Sequence, residues 1–183
     1  MVTFREDKLA TNCIQRTWTG HMQTFLPYAD FEASVQALDY KRLGKQRVET
    51  YQILKALLGS QGGLHGGWAR HPASRMWEGY ELALLKYQEE TIKEWVGVRG
   101  YKDTCWEKSC ALFTPEQLED YAAGNYEMPE WFGNEDFHNA HISNLLRKDS
   151  EFYALALGRP VPDNLEYIWP GKTLEEAKIA QNV

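Results

Sequence analysis

The chain has 183 residues, the size of one domain, with 43% hydrophobic and 25% charged residues, ordinary values for a globular protein. Its net charge of −6 argues against a non-specific nucleic-acid coat, which needs surplus Lys and Arg, but leaves room for a segregated basic patch. Three cysteines do not make a disulfide framework, and no apolar run approaches the roughly twenty residues of a membrane span.

The first twenty-one residues are mixed and weakly patterned, read as an extension that lacks the apolar core of a secretion signal. A reduced, cytoplasmic protein is expected. "MQTFLPY" then gives a short extended lead-in, and "DFEASVQAL" follows with Asp30 as a helix N-cap. Residues 39–58 have helical periodicity. At about 100° per residue, Leu43, Thr50, Tyr51, Leu54, Leu57 and Leu58 share one arc, while Arg42, Lys45, Gln46 and Glu49 fall together elsewhere. Arg47 lands inside the apolar arc, where a guanidinium must find an acceptor or reach a pocket.

"GSQGGLHGGW" breaks that helix and lacks the Lys-Ser/Thr ending of a phosphate-binding loop. Residues 71–96 read as the strongest helix, with Pro72 in its first turn and Met76, Tyr80, Leu84, Tyr87 and Thr91 along one face. A further helix is expected near residues 115–123. Another covers 134–149, entered through Asn134 and carrying His138, His141, Leu145 and Lys148 at helical spacing. "RPVPDNLEYIWPG" reads as a proline-pinned strap. Little alternates with period two, so the fold class is mainly α: one compact helical domain over 22–183, with long irregular connections.

Between Lys41 and Lys55 stand five cations and one acid, Glu49. That setting predicts a carboxylate held as the anion with a lowered pKa, suited to holding a cationic intermediate or removing a proton. The plainer reading is an intrahelical Lys45–Glu49 ion pair. His138 and His141 can face one site as pocket histidines contacting an anion or a base, or sit satisfied in the core. With Glu135 they also form a Glu-x-x-His arrangement, but the second copy that a di-iron bundle requires is missing, and no metal is assigned. His71 precedes the amino end of a helix, which attracts phosphate, or simply caps it. Arg147 and Lys148 suit phosphate or a helix carboxyl end. Trp68 and Trp77 are aromatic candidates for stacking on a base.

The segments "MQTFLPY", "LDYKRLGKQRVETYQIL", "HPASRMWEGYE", "FHNAHISNLLRKD" and "YIWP" resemble a group of bacterial and phage proteins, over residue 22 to about 170. That group is distantly similar to pyrimidine-dimer DNA glycosylases of the phage endonuclease V type. The resemblance implies a compact, single-domain α fold and a glutamate on the first long helix that assists base loss and strand cleavage. Glu49 falls at that glutamate position. The implied partner is duplex DNA with a damaged or modified base, without cofactor, metal or membrane; the oligomeric state is left open. Arg42, Lys45, Arg47, His71, Trp77, His138, His141 and Arg147 are the expected DNA or substrate contacts. The family's own arginine positions carry over less cleanly, since Val48 and Gln52 stand where cations are expected.

The resemblance also implies an amino-terminal α-amine that attacks sugar C1′ to form a Schiff base. Here twenty-one residues precede Met22. Either translation starts at Met22, or the reaction runs without a covalent intermediate, or the protein has another task. The alternatives to a glycosylase, with or without lyase activity, are a non-catalytic nucleic-acid or nucleotide-binding protein of the same fold and a metal-dependent enzyme centred on Glu135, His138 and His141.

Overall fold

Two aspartates decide where the first helices begin. Asp30 Oδ1 accepts the Ala33 N–H at 2.7 Å and starts α1 (Phe31–Gln36), and Asp39 Oδ1 accepts the Lys41 and Arg42 N–H groups at 2.8 and 3.2 Å to start α2 (Tyr40–Leu58). The computed structural model describes residues 22–59, 68 and 71–170. The extension before residue 22, and most of the glycine-rich loop after α2, lie outside the described residues.

After that loop come α3 (Pro72–Arg75) and α4 (Glu81–Ile92), which runs into a π-helical turn, Lys93–Val98. Then follow α5 (Cys105–Cys110), α6 (Pro115–Ala123), α7 (Glu135–Lys148) and α8 (Ser150–Leu157). Among the described residues there is no strand, and no helix is long and apolar enough to cross a membrane. The mainly α reading holds.

The helix expected over 71–96 is in fact split. Gly79 adopts φ 86°, a left-handed conformation that closes the turn after α3, and α4 begins anew at Glu81. Met76 and Leu84, on either side of this break, are both buried, as the apolar spacing predicts. The Asn134 cap is where the spacing places it, accepting the Phe137 N–H at 3.1 Å. The helix over 115–123 begins with a Thr114–Gln117 capping box and Pro115, and ends at Gly124 with φ 75°. Residues 159–170 carry no regular helix or strand. Arg147 pins this strap, donating to the carbonyls of Asp163 at 2.6 Å and Leu165 at 2.8 Å.

The helix pair α2–α4 forms the centre. Gly44 sits in the interior of α2 because a Cβ there would lie 3.0 Å from the Trp95 ring, which closes over it. Against α2, α4 and α7 lies the lead-in, residues 22–27, every one of them buried. It carries no regular helix or strand, and among the described residues no strand pairs with it, so side chains satisfy it. Gln46 Oε1 accepts the Phe25 N–H at 2.9 Å, and Gln46 Nε2 donates to the Gln23 carbonyl at 2.9 Å. His141 Nδ1 accepts the Leu26 N–H at 3.3 Å, while His138 Nδ1 lies 2.8 Å from the Leu26 carbonyl. The Tyr87 hydroxyl lies 2.9 Å from the Phe25 carbonyl and 2.8 Å from Gln46 Oε1. Trp77 Nε1 donates to Thr24 Oγ1 at 3.0 Å.

Gln46 is fully buried and uses both of its amide atoms. Truncating it leaves the Phe25 N–H and the Gln23 carbonyl without partners in the core. Gln46→Ala is therefore expected to destabilise the protein by about 2–4 kcal/mol. Urea unfolding of the purified variant measures this; a loss below the ~0.5 kcal/mol of an ordinary surface change would show that the lead-in is not held this way.

Candidate active site

One turn after Gln46 along α2 stands Glu49. Gln46 Nε2 donates to its Oε2 at 3.1 Å, and Lys45 Nζ lies 3.6 Å from its Oε1. Its side chain is 12% exposed, against 46% for Lys45. The environment therefore reverses the expected electrostatics. Burial pushes the Glu49 carboxyl up to about 7, opposed by Lys45, by the Gln23 backbone N–H and more weakly by Lys148. The expected lowering fails because Lys45 stands half in water, where its charge is screened, while the carboxylate is desolvated by the lead-in. A carboxyl near 7 populates both protonation states at neutral pH and can accept or release a proton.

Arg42 and Lys148 stand on the same flank. Arg42 holds Asp39 at 3.0 Å and donates to the Lys148 carbonyl at 3.1 Å, tying the end of α7 to the start of α2. Lys148 Nζ lies 5.8 Å from the centre of the Phe25 ring. Tyr167, from the strap, is a further neighbour: Glu49's charge acts on its hydroxyl, and its ring centre is 5.4 Å from that of His141. Sequence reasoning did not pick out Tyr167. Lys148 had a signal, since it shares a helical row with His138 and His141.

The remaining expected contacts do not gather here. Arg47 does find an acceptor, Asp103 at 2.6 Å, and lies 4.6 Å from the Trp95 ring centre, on the α5 side of α2. Asp103 also caps α5 through the Cys105 and Trp106 N–H groups, each at 2.9 Å. His71 caps α3, its Nδ1 accepting the Ala73 N–H at 3.1 Å, with Trp68 and Trp169 beside its ring. Trp77 is fully buried between Phe31 and Trp131, so it offers no face to an extruded base; Trp68 is exposed. Arg147 is engaged with the strap and with Ser143 and Asn144.

His138 and His141 are core residues that hold backbone. His138 Nε2 accepts the Gly133 N–H at 3.0 Å, so its Nδ1 carries the proton toward the Leu26 carbonyl. His141 has the opposite tautomer, because its Nδ1 accepts from Leu26. Burial lowers both, His141 to about 3, so both rings are neutral at physiological pH. Glu135 turns outward to Arg159 at 3.2 Å and is 77% exposed. It therefore does not join the two histidines, and among the described residues no group of three or more His, Cys, Asp or Glu could hold a metal ion.

Against this geometry, a family model described as pyrimidine dimer DNA glycosylase matches residues 22–108, just under half of the chain. No curated protein and no solved structure matches. The matched segment holds the lead-in, Gln46, Glu49 and Tyr87, and stops before α7 and the strap. The chain is thus similar to that family over the part that builds the Glu49 site from one side.

The raised pKa has a consequence for stability. Between pH 4.5 and about 7 the folded protein keeps a proton on Glu49 that the unfolded chain has lost, so this group lowers stability as pH rises through that window. His141, whose pKa is depressed, acts oppositely between about 3 and 6.5, so only a comparison of variants isolates Glu49. Glu49→Gln is expected to be more stable than wild type at pH 8 by about 1–3 kcal/mol and little different at pH 4.5. Chemical unfolding at the two pH values checks this; an equal difference at both would show an ordinary solvated carboxylate.

Proposed function

We propose that this protein is a DNA glycosylase acting on a damaged or modified pyrimidine in duplex DNA, with Glu49 as the catalytic carboxylate and with or without strand cleavage afterwards. The observation that carries this reading is the position of Glu49: a carboxyl poised near neutral pH where the lead-in meets α2, inside the segment similar to the glycosylase family. Breaking the C1′–N bond builds positive charge on the sugar. An ionised carboxylate in a poorly hydrated site stabilises that charge more strongly than one in water, and can take a proton from the attacking nucleophile.

The base must leave the duplex to reach this chemistry. Arg42, Lys45 and Lys148 form the cationic flank suited to the phosphates on either side. This local patch allows DNA binding by a chain whose net charge is −6. A cytoplasmic protein with one helical catalytic unit beginning at residue 22 belongs to the same reading. The competing reading, a non-catalytic nucleic-acid or nucleotide-binding protein, keeps the patch and removes the chemistry.

Duplexes carrying a thymine dimer or another altered pyrimidine should acquire an alkali-labile site with wild-type protein, and none with Glu49→Gln, which should still bind DNA. Because the ionised form acts, cleavage by wild type should rise about tenfold per pH unit below pH 7 and level above it. Full turnover by Glu49→Gln would refute the assignment. Binding without cleavage by wild type on every altered pyrimidine would favour the binding protein.

A further inference from the structure

The last turn of α7 brings an amine to the Glu49 site from outside the segment similar to the glycosylase family. The Arg42–Lys148 carbonyl bond fixes that turn, and Lys148 Nζ reaches over the Phe25 ring. Phe25 N–H is held by Gln46, and Gln46 in turn donates to Glu49, so Lys148 and Glu49 flank the same end of the lead-in. Each feels the other's charge. Among the described residues Lys148 nevertheless has no hydrogen bond or ion pair from its ammonium, whereas Lys45, Lys86 and Lys93 are paired with glutamates. Lys148 is exposed, as a group that must meet a substrate has to be.

We propose that Lys148 is the amine nucleophile of this enzyme, attacking C1′ of the extruded nucleotide to form an imine; the proposal rests on the glycosylase reading above. In a chain that carries residues 1–21, the nitrogen of Met22 is a peptide amide and no nucleophile. Lys45 is ion-paired with Glu49 itself.

The step balances without any co-reactant. The Lys148 lone pair forms the N–C1′ bond, and the pyrimidine leaves with the electrons of the C1′–N bond and takes a proton from water. The new C1′-bound ammonium passes a proton to the Glu49 carboxylate, which delivers it to O4′. The C1′–O4′ bond then breaks as the nitrogen lone pair closes the C=N bond. Water hydrolyses this iminium to regenerate Lys148. Attack requires a neutral amine, and the site favours one: partial desolvation and the cations Arg42, Lys45 and Arg147 lower the Lys148 pKa, with Glu49 opposing them.

The test is borohydride trapping with the full chain and a duplex carrying a thymine dimer, followed by proteolysis and mass mapping of the adduct. Borohydride reduces the imine to a stable amine, and the adduct is expected on the peptide containing Lys148. Lys148→Arg, which keeps the charge at the end of α7, should bind the duplex and lose the adduct; Lys55→Arg should keep it. An adduct on any other amine, or undiminished trapping by Lys148→Arg, overturns the proposal. Mapping on wild type decides even if the variant unfolds. An alkali-labile site without any adduct overturns Lys148 alone, whereas neither labile site nor adduct on the thymine dimer or on any other altered pyrimidine overturns the glycosylase reading with it.

Discussion

A buried segment without regular secondary structure has to find its hydrogen bonds in side chains, and that constraint organises this protein. An unpaired peptide group in the core costs about as much as the whole net gain from one or two hydrogen bonds. The lead-in avoids this by taking partners from three helices: Gln46 on α2, Tyr87 on α4, and His138 and His141 on α7. These polar side chains are in the core for that reason. The same contact sets the position of Glu49. Gln46 must face the lead-in, and Glu49, three residues on, is thereby turned toward it and away from water.

The electrostatics of Glu49 follow from relative magnitudes. An exposed i,i+4 ion pair contributes a few tenths of a kcal/mol to about 1 kcal/mol. Taking a carboxylate largely out of water shifts it by more than that, and here burial wins. The half-exposed Lys45 thus leaves its partner only weakly held as the anion, and the carboxyl exchanges its proton near neutral pH. Arg42 serves both structure and charge, since it closes Asp39 and ties α7 to α2.

Much of the helical framework was legible because caps and periodicity are local. Asp30 and Asn134 mark helix starts, and the apolar spacing over 39–58 marks α2. The short helices α5 and α8 escaped notice, being six and eight residues with little room for periodicity. The face of α2 was legible only in part. Gln46, grouped with Arg42 and Lys45 as a polar arc, is fully buried, because hydrogen-bonding residues that face a buried backbone look in sequence like residues that face water. His138 and His141 carry the same ambiguity. Glu49 was found through the resemblance and its neighbours, but its protonation depends on the lead-in packing, which no local pattern states.

The partners of the lead-in are also far apart along the chain: 21 residues from Phe25 to Gln46, 62 to Tyr87, and 115 from Leu26 to His141. Such contacts close large loops and carry the entropy cost of doing so. During synthesis, the segment that emerges first among these elements must wait for α7, near the other end, before its peptide groups can all be satisfied. Until then Glu49 stands in water as an ordinary carboxylate. The acid–base character of the site is therefore a property of the finished molecule, set by long-range docking of the lead-in rather than by any helix on its own.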